Sequence, residues 1–232
     1  DVIVLDQPEN LGVATGFNNG IRAALADGFD DVWIFDQDSR VTEGALGRIL
    51  AAREKVGALA GVFGTALRSD ATGIVYARES GRGAGEVDVL ISSGSLFSRS
   101  LLDEIGLHDQ PLFIDYVDHD ICLRARKRGF RNFKVYDAIL DHRFGDSDPV
   151  KLLGRGVYLA NYSPMRHFHA SRNRVIVIRR HGFGRWFWED VWFTSKAWAK
   201  VLLLEPDKLT KISAALRGVM AGLRYPAREL RW

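Results

Sequence analysis

The sequence predicts a mixed α/β fold in which helices flank a mostly parallel sheet. Short β-branched apolar runs alternate with stretches whose apolar residues recur at helical spacing, and this alternation is typical of a doubly wound sheet. The composition agrees, since 47% of the 232 residues are hydrophobic, 26% are charged and only 6 are Pro. Such values are those of a globular protein, and they exclude disordered and fibrous chains.

The first half of the chain gives the alternation in order. Residues 2–5 are predicted to be a buried strand, residues 15–27 a helix and residues 32–35 a second buried strand. Thr42 is the expected N-cap of a helix that continues to about residue 56. Residues 59–65 follow as a third strand.

The second half adds helices after a looser middle region. Residues 69–85 are rich in Gly and polar residues and predict an excursion at the surface. The later predicted elements are a strand over 87–91, a short helix capped by Ser98, a helix over 117–128, a strand over 133–136 with a loop over 141–145, and a helix from Ser163 and Pro164 to about Arg180.

Charge divides the chain into two predicted regions. Residues 1–150 form the expected main domain, with 16 Lys and Arg against 24 Asp and Glu. Residues 151–232 form a Trp-rich helical extension with 16 against 5, a net charge of +11. Such an extension favours an anionic partner such as phosphate, nucleic acid or lipid headgroups, and the alternative is that basic helices solvate themselves.

Three absences narrow the class of protein. Cys122 is the one cysteine, which excludes a disulfide scaffold and a multi-cysteine metal site. No apolar run is long enough for a membrane-spanning helix, and no signal peptide is visible. We therefore expect a cytoplasmic protein. If it associates with a membrane, we expect peripheral binding to the cytoplasmic face.

Asp36 and Asp38 form the first candidate site. Residues two apart in an extended segment point to the same side, so both carboxylates are expected just beyond the strand over 32–35. Two like charges this close favour a cation, and oxygen ligands suit Mg²⁺ or Mn²⁺. The alternative is a pair of turn-forming acids.

Asp115, Asp118 and Asp120 gather at the start of a predicted helix. Carboxylates favour a helix N-terminus, and Asp120 is spaced to form a surface ion pair with Arg124. Asp115 and Asp118 have no partner at that spacing, so one of them is a candidate general base. His119 is expected to be exposed, because adjacent residues in a helix do not face each other.

Basic and histidine side chains complete the polar candidates. His142 follows a predicted strand, where a lone histidine is either a surface residue or a ligand. Arg166 and Arg172 lie in the first half of the helix after Ser163, a position that suits phosphate recognition. The alternative for this helix is a solvated basic face.

Four of the six Trp residues lie within residues 186–198. Trp188, Trp192 and Trp198 follow helical spacing with other apolar residues, and Lys196 and Lys200 lie nearby. A Trp-rich amphipathic helix with basic neighbours is typical of a membrane interface. The alternative is a helix that packs on the core of its own domain.

Five segments of the sequence, in this order along the chain, match the motifs of a known protein family. They are Glu9-Asn10-Leu11-Gly12 with Gly16-Phe17-Asn18-Asn19-Gly20, Phe35-Asp36-Gln37-Asp38-Ser39, Ile91-Ser92-Ser93-Gly94-Ser95, Phe113–Asp120 with Leu123–Gly129, and His142 with Arg166 and Arg172-Asn173. Over about residues 2–180 they resemble the family 2 glycosyltransferases of the GT-A fold. Within that family they are most similar to the rhamnosyltransferase and galactofuranosyltransferase-like branch.

The resemblance implies a role for each matched residue. Asp118 matches the catalytic base, which takes the proton of the acceptor hydroxyl. Asp38 and His142 match ligands of a divalent metal, Mn²⁺ or Mg²⁺, and Asp36 would lie beside both the metal and the donor. The other implied donor contacts are Asn18, Ser93, Gly94, Arg166 and Arg172, and the implied acceptor contacts are Asp115 and Tyr116.

The implied reaction transfers a sugar with inversion from a nucleotide-diphosphate donor to a glycan or lipid-linked acceptor, as in the synthesis of cell-surface polysaccharide. Rhamnose is the preferred donor sugar, an anionic membrane surface is a further expected partner, and nucleic acid is not expected. Family members begin with a strand and a turn that hold the nucleotide base, whereas residues 2–5 resemble the second strand. We therefore expect the first strand to be missing. Val117 also departs from the family, which often has Glu or Asp directly before the base.

Two other interpretations of the sequence stay open. A nucleotidyltransferase also combines an α/β sheet with metal-binding acids, but it requires a Gly-rich phosphate loop after its first strand. A catalytically inactive glycosyltransferase-like module that docks on membranes agrees with the missing first strand. The presence of Asp36, Asp38, Asp118 and His142 favours an enzyme.

Overall fold

A computed structural model describes residues 2–69, 73, 75, 79–142, 150–152, 155–157 and 159–230. The helices within these ranges are α1 (Val13–Ala26), α2 (Ala45–Val56), α3 (Arg99–Ile105), α4 (Val117–Lys127), α5 (Pro164–His181), α6 (Arg185–Leu204) and α7 (Lys208–Arg224). The strands are β1 (Asp31–Ile34), β2 (Ser39–Val41), β3 (Ala60–Ser69), β4 (Ala84–Val87), β5 (Ser95–Ser98), β6 (Arg131–His142), β7 (Val150–Leu152) and β8 (Arg155–Val157). Residues 1–113 and 117–143 form one compact unit, and residues 114–116 and 144–232 form a second.

The sheet of the first unit has the strand order β1-β5-β3-β6-β2, and β4 also pairs with β6. β3 and β6 are parallel, whereas the other four pairings are antiparallel. The mixed α/β fold class is confirmed, but the expectation of mostly parallel pairing is wrong for the described strands. The reason is that β5 lies between β1 and β3 and runs opposite to both. The strand predicted over 87–91 is replaced by β4 before it and β5 after it.

Residues 2–5 form no strand, contrary to the prediction. Val2, Ile3 and Val4 are 92%, 70% and 77% exposed, and none of the described strands pairs with them. A β-branched run becomes a strand only when a neighbouring strand satisfies its backbone hydrogen bonds. Propensity alone therefore did not decide the structure of this segment.

Two apolar clusters cover opposite faces of the sheet. Val62 and Phe97 belong to the cluster that includes residues of α1, α3 and α4, while Phe63 and Leu96 belong to the cluster beneath α2. Because adjacent residues of a strand point to opposite faces, these pairs place helices on both sides. The sheet is therefore buried between layers, and its strand ends are free to carry polar groups.

Two of the three predicted helix N-caps are confirmed by the structure. The Ser98 hydroxyl accepts a hydrogen bond from Leu101 N, and the Ser163 hydroxyl accepts one from Arg166 N, as predicted. Thr42 is not the cap of α2, because its hydroxyl donates to the carbonyl of Ile139 and a left-handed Gly44 takes the cap position.

The Asp120–Arg124 pair was expected at the surface, but it lies in the core of the first unit. The two side chains are 1% and 4% exposed, and Arg124 Nε donates to Asp120 Oδ2 over 2.9 Å. The Arg124 guanidinium also donates to the carbonyls of Ile105 and Leu107. These bonds satisfy a charge that would otherwise be costly to bury, and they tie α4 to the end of α3.

The second unit is organised by close packing of α7 on α5. A Cβ atom at Gly218 would lie 2.3 Å from the carbonyl oxygen of Phe168, and one at Gly222 would lie 2.6 Å from that of Arg172. The two glycines therefore let the helix backbones approach, and they fix which face of α7 is buried. The opposite face exposes Leu209, Leu216, Met220 and Leu223.

Gly218→Ala should lower the free energy of unfolding by about 1–3 kcal/mol, because the new methyl group meets backbone that cannot move cheaply. Gly20→Ala is the matched control, since Gly20 also lies within a helix but a Cβ added to it would meet no neighbouring atom within 4 Å. The control should be neutral or more stable by up to about 1 kcal/mol. Urea denaturation measures both. Equal stability of Gly218→Ala and the parent protein would contradict the packing account.

Candidate active site

Polar residues collect at one edge of the sheet in the first unit. β1, β3 and β6 point in the same direction, because β5 is antiparallel to β1 and β3, and β3 is parallel to β6. Asp36 and Asp38 follow the carboxyl end of β1, and His142 is the last residue of β6. This is the edge at which open α/β sheets bind ligands.

Asp36, Asp38 and His142 are brought together as one cluster, although His142 is more than 100 residues away in the sequence. Each offers one ligand atom, and these atoms lie within 4.8 Å of one another. Asp38 is 44% exposed, whereas the side chain of His142 is 9% exposed. Two carboxylate oxygens and one imidazole nitrogen suit a divalent ion such as Mn²⁺ or Mg²⁺. The donor set therefore fits the metal that the sequence led us to expect.

A chain of hydroxyl groups orients this cluster. Asp36 N donates to Ser93 Oγ over 3.0 Å, Ser93 Oγ lies 2.6 Å from Ser39 Oγ, and Ser39 Oγ lies 2.9 Å from His142 Nδ1. The register of β2 on β6 sets the last contact, because Ser39 is directly opposite His142. Hydrogen bonds to a ligating histidine fix its ring and its tautomer. Ser39 was not among the predicted site residues, since no local pattern shows that it faces β6.

The loop that carries Ser93 is tied to the end of β1. Gly94 N donates to the carbonyl of Ile34, and Trp33 Nε1 donates to the carbonyl of Gly94. Gly94 has a φ of +81°, and a Cβ there would lie 2.4 Å from Thr65 Oγ1. The predicted site residues Ser93 and Gly94 are thus beside the cluster of Asp36, Asp38 and His142, and Gly94 is needed for the loop to fit.

Asp118 lies in the first turn of α4 and contacts the residue that follows it. Its Oδ1 accepts a hydrogen bond from His119 N over 2.8 Å and lies 3.0 Å from His119 Nδ1. Burial raises the pKa of Asp118, but the contacts with His119 outweigh that effect, so its pKa lies below the ordinary value. Asp118 is therefore ionised at neutral pH, as a base must be. The expectation that His119 is exposed is wrong, because its ring is half-buried against this carboxylate.

Asn18 does not occupy a position that a donor can reach. It is 1% exposed, its Nδ2 donates to the carbonyl of His108, and its Oδ1 accepts from His108 N. The implied donor contact at Asn18 is corrected, because a buried amide with both ends bonded to backbone holds two segments together. Burial also lowers the pKa of His108 to about 4, so this ring is neutral.

The backbone just before Asp118 is strained. Phe113, Asp115 and Tyr116 each have a φ of +63°, a conformation that costs side chains with a Cβ about 1–3 kcal/mol. Asn173 Nδ2 donates to the carbonyls of Ile114 and Asp115, and these bonds help to hold the conformation. Such strain is concentrated at functional sites.

The implied acceptor residues Asp115 and Tyr116 are engaged within the second unit. Asp115 pairs with Arg166, whose Nη2 lies 3.0 Å from Asp115 Oδ1. Tyr116 donates its hydroxyl to Asp190 Oδ1 over 2.6 Å, and Arg174 pairs with the same carboxylate. Burial raises the pKa of Tyr116, which keeps its hydroxyl protonated.

The implied phosphate-binding arginines also have partners. Arg166 lies over the Tyr162 ring at 3.9 Å in addition to its pair with Asp115, and Arg172 Nε donates to Asn173 Oδ1. Arg166 and Arg172 of α5 are therefore paired with other side chains, and the alternative of a solvated basic face does not describe them. Arg174 and Asp190 were missed because they are 16 residues apart and pair only through the fold. The predicted loop residues 143–145 lie outside the described residues.

Residues 1–186 match the sequence profile of the family described as glycosyltransferase like family 2. The chain belongs to this family. The similarity inferred from the five ordered segments is thus confirmed, and the trio at the sheet edge is the candidate active site of a family 2 protein.

Two curated relatives refine the comparison. The dTDP-rhamnosyl transferase RfbF of Shigella flexneri is 30% identical over 184 residues, which cover 74% of this chain and 61% of RfbF. The galactofuranosyltransferase GlfT1 of Mycobacterium tuberculosis is 31% identical over 197 residues, which cover 77% of this chain and 64% of GlfT1. The aligned part of the chain therefore spans just over three fifths of each relative.

Solved structures confirm the GT-A fold. GalNAc-T7 with UDP, GalNAc and Mn²⁺ has a TM-score of 0.55 at 12% identity, over 98% of this chain and 45% of that one. TarS of S. aureus has a TM-score of 0.60 at 14% identity, over 96% and 38%. These likenesses concern the fold.

Ser39→Ala should weaken Mn²⁺ binding by about 10–100-fold, because it removes the hydroxyl that orients His142. Ser100→Ala is the matched control, since Ser100 is exposed on α3 in the same unit. Titration with Mn²⁺ followed by electron paramagnetic resonance measures the affinity. If both variants bind Mn²⁺ as the parent protein does, the hydroxyl chain has no part in holding the ion.

Proposed function

We propose that this protein is an inverting, metal-dependent glycosyltransferase that moves a sugar from a nucleotide-diphosphate donor to a hydroxyl group of a glycan or lipid-linked acceptor. The observation that supports this most is the trio Asp36, Asp38 and His142 at the carboxyl edge of the sheet, in a chain of family 2. Rhamnose is the preferred donor sugar, because RfbF is named a dTDP-rhamnosyl transferase.

The three proposed metal ligands would stabilise the diphosphate leaving group. Asp36, Asp38 and His142 would hold the divalent ion, which when bound supplies positive charge for the departing diphosphate. Ser39 contacts His142 and Ser93 accepts from the backbone N–H of Asp36, so the contact between the two hydroxyl groups links two of the three proposed ligand residues. Arg166 and Arg172 stay proposed donor contacts on the family resemblance alone, and Arg166 is paired with Asp115 within the second unit.

Asp118 is proposed as the general base. Its lowered pKa keeps the carboxylate ionised, so it can accept the proton of the acceptor hydroxyl while that oxygen attacks the sugar. A single base opposite the leaving group gives one displacement and therefore inversion at the anomeric carbon. His119 positions the carboxylate through its backbone N–H and its ring.

Asp118→Asn should lower turnover by about 10²–10⁴-fold, the usual contribution of a general base, and should leave donor affinity nearly unchanged. The assay is sugar transfer or donor hydrolysis with Mn²⁺, in which dTDP-rhamnose is compared with UDP-galactofuranose. Asp103→Asn is the matched control, since Asp103 is an exposed carboxylate on α3.

Three results would count against the proposal. Turnover of Asp118→Asn equal to that of the parent would remove the base and direct attention to Asp115. Activity that persists after chelation of divalent ions would contradict the metal. Binding of neither nucleotide sugar would favour an inactive module.

We also propose that the second unit attaches the protein to anionic membranes. Trp188 and Trp192 are 67% and 57% exposed, whereas Trp186 is 3% exposed and belongs to the core. Exposed Trp beside cations suits the headgroup region, and residues 151–232 carry the charge of +11. Within the described residues, no helix combines the length and apolar content needed to cross a bilayer.

Vesicles that contain phosphatidylglycerol should sediment the protein, and neutral phosphatidylcholine vesicles should not. Replacing Trp188 and Trp192 together by Gln should weaken this association by about tenfold or more, because their rings no longer enter the interface. Phe29→Gln is the matched control, since Phe29 is 59% exposed in the first unit. Equal sedimentation with neutral vesicles would contradict the role of charge.

A further inference from the structure

The outward face of α7 is a line of exposed apolar side chains, which we call the leucine stripe. Its members Leu209, Leu216 and Leu223 are 83%, 62% and 55% exposed, and Met220 is 47% exposed. Residues seven apart lie on the same side of a helix, two turns from one another, so the three leucines form a line about 20 Å long. A continuous apolar surface of this kind marks a site of interaction with a partner or a membrane.

The leucine stripe is held on the outside by the packing of α7 on α5. Gly218 and Gly222 lie on the opposite side of α7, where an added Cβ would meet the α5 backbone. A surface depression follows the stripe, and all of its described lining residues belong to α7. A depression with a single wall does not enclose a small molecule. An extended apolar surface is therefore the occupant that this face fits.

Cations flank the leucine stripe, and α7 contains no Asp or Glu. Arg217 and Arg224 each follow a leucine of the stripe directly, so they lie about 100° around the helix from it. Both are exposed. Arg217 Nη1 lies 3.4 Å from the hydroxyl oxygen of Ser213, and no carboxylate among the described residues pairs with either guanidinium. Their two positive charges are thus not neutralised within the described part of the protein.

The charges indicate which extended surface covers the stripe. A second copy of α7 would bring the same two arginines and no carboxylate to pair with them, so self-association is disfavoured. An anionic bilayer supplies acyl chains for the leucines and phosphates for the arginines. Arginine side chains beside an inserted apolar face reach the headgroups in this way. The charge complementarity therefore favours lipid.

We infer that α7 lies in the plane of an anionic membrane, with the leucine stripe among the acyl chains and Arg217 and Arg224 at the phosphates. The inference rests on the proposed attachment of the second unit to anionic membranes. It deepens that proposal, because it assigns insertion to α7 in addition to the exposed Trp residues of α6. It also orients the second unit, since α5 packs on the side of α7 that faces away from the lipid.

A spin label attached to Leu216→Cys tests insertion directly. Cys122 is 1% exposed, so a thiol reagent should modify the introduced cysteine selectively. On vesicles that contain phosphatidylglycerol, the label should become more accessible to oxygen and less accessible to a water-soluble nickel complex, because oxygen concentrates among acyl chains. Ser100→Cys is the matched control, since Ser100 is exposed on α3 of the first unit, and its label should stay accessible to nickel.

Substitution of the leucines measures the apolar contribution. Replacing Leu216 and Leu223 together by Gln should weaken binding to these vesicles by about tenfold or more, because two large side chains no longer enter the acyl layer. Leu46→Gln with Leu59→Gln is the matched control, since these leucines of the first unit are 41% and 54% exposed. The control should bind as the parent protein does, and an unchanged melting temperature shows that each variant is folded.

Substitution of the arginines measures the contribution of charge. Replacing Arg217 and Arg224 together by Gln should also weaken binding to the anionic vesicles by about tenfold or more, because each arginine near the surface is attracted to anionic lipid. Arg22→Gln with Arg48→Gln removes two exposed arginines from the first unit and should leave binding unchanged. Equal losses in the two pairs would show a response to net charge alone and would overturn the role assigned to α7.

The remaining outcomes separate this inference from the proposal on which it rests. Failure of the parent protein to bind anionic vesicles would overturn both. Binding by the parent, with the label at residue 216 still in water and full binding by the double leucine variant, would overturn only the insertion of α7. A dimer in sedimentation equilibrium that the leucine substitutions convert into a monomer would assign the stripe to a second copy of the chain and would also overturn the inference.

Discussion

The antiparallel register of β2 on β6 is the constraint on which the candidate site depends. It places Ser39 opposite His142, and through Ser39 the imidazole is linked to Ser93 and to the backbone of Asp36. Two carboxylates at the end of one strand repel each other, and a cation between them would relieve that repulsion, with His142 within reach as a third ligand. A shift of β2 by one residue in this register would turn the Ser39 side chain to the other face of the sheet and remove its contact with His142.

The rest of the first unit supports this edge. Apolar clusters on both faces fix the sheet between helices, and the Gly94 turn brings Ser93 to the end of β1. The buried Asp120–Arg124 pair fixes the start of α4, where Asp118 also lies. Polar groups at the strand ends are therefore held by a rigid apolar scaffold, which is what preorganisation of charge requires.

The second unit relies on close approach and on buried polar bonds. Gly218 and Gly222 determine which face of α7 is buried. The leucines on the opposite face are therefore exposed. Asn173 and Arg166 hold residues 114–116, so the strained backbone before Asp118 is maintained by α5. Lys211 and Glu205, both about 3% exposed, close the turn between α6 and α7 without leaving a charge unpaired.

The sequence by itself determined the features whose causes are local. Ser98 and Ser163 cap their helices because the cap needs only a hydroxyl three residues before an N–H. The ordered motifs were sufficient for the family, and the spacing of Asp36 and Asp38 was sufficient to predict that their carboxylates lie together at the end of β1. The long Trp-rich helix α6 was also predicted from the helical spacing of its apolar residues.

The tertiary structure decided what depends on partners distant in the chain. Residues 2–5 have strand propensity but no neighbouring strand among the described residues, so they do not become one. Asn18 and Ser39 both lie in the ordered segments, but only the fold shows that Asn18 bonds to His108 and that Ser39 contacts His142. Hydrogen bonds of this kind join residues about 90 to 100 positions apart, and their existence depends on strand register and helix packing. Local spacing contains no information about either, which is why the sequence indicated the candidate ligands but only the fold showed which residues contact them.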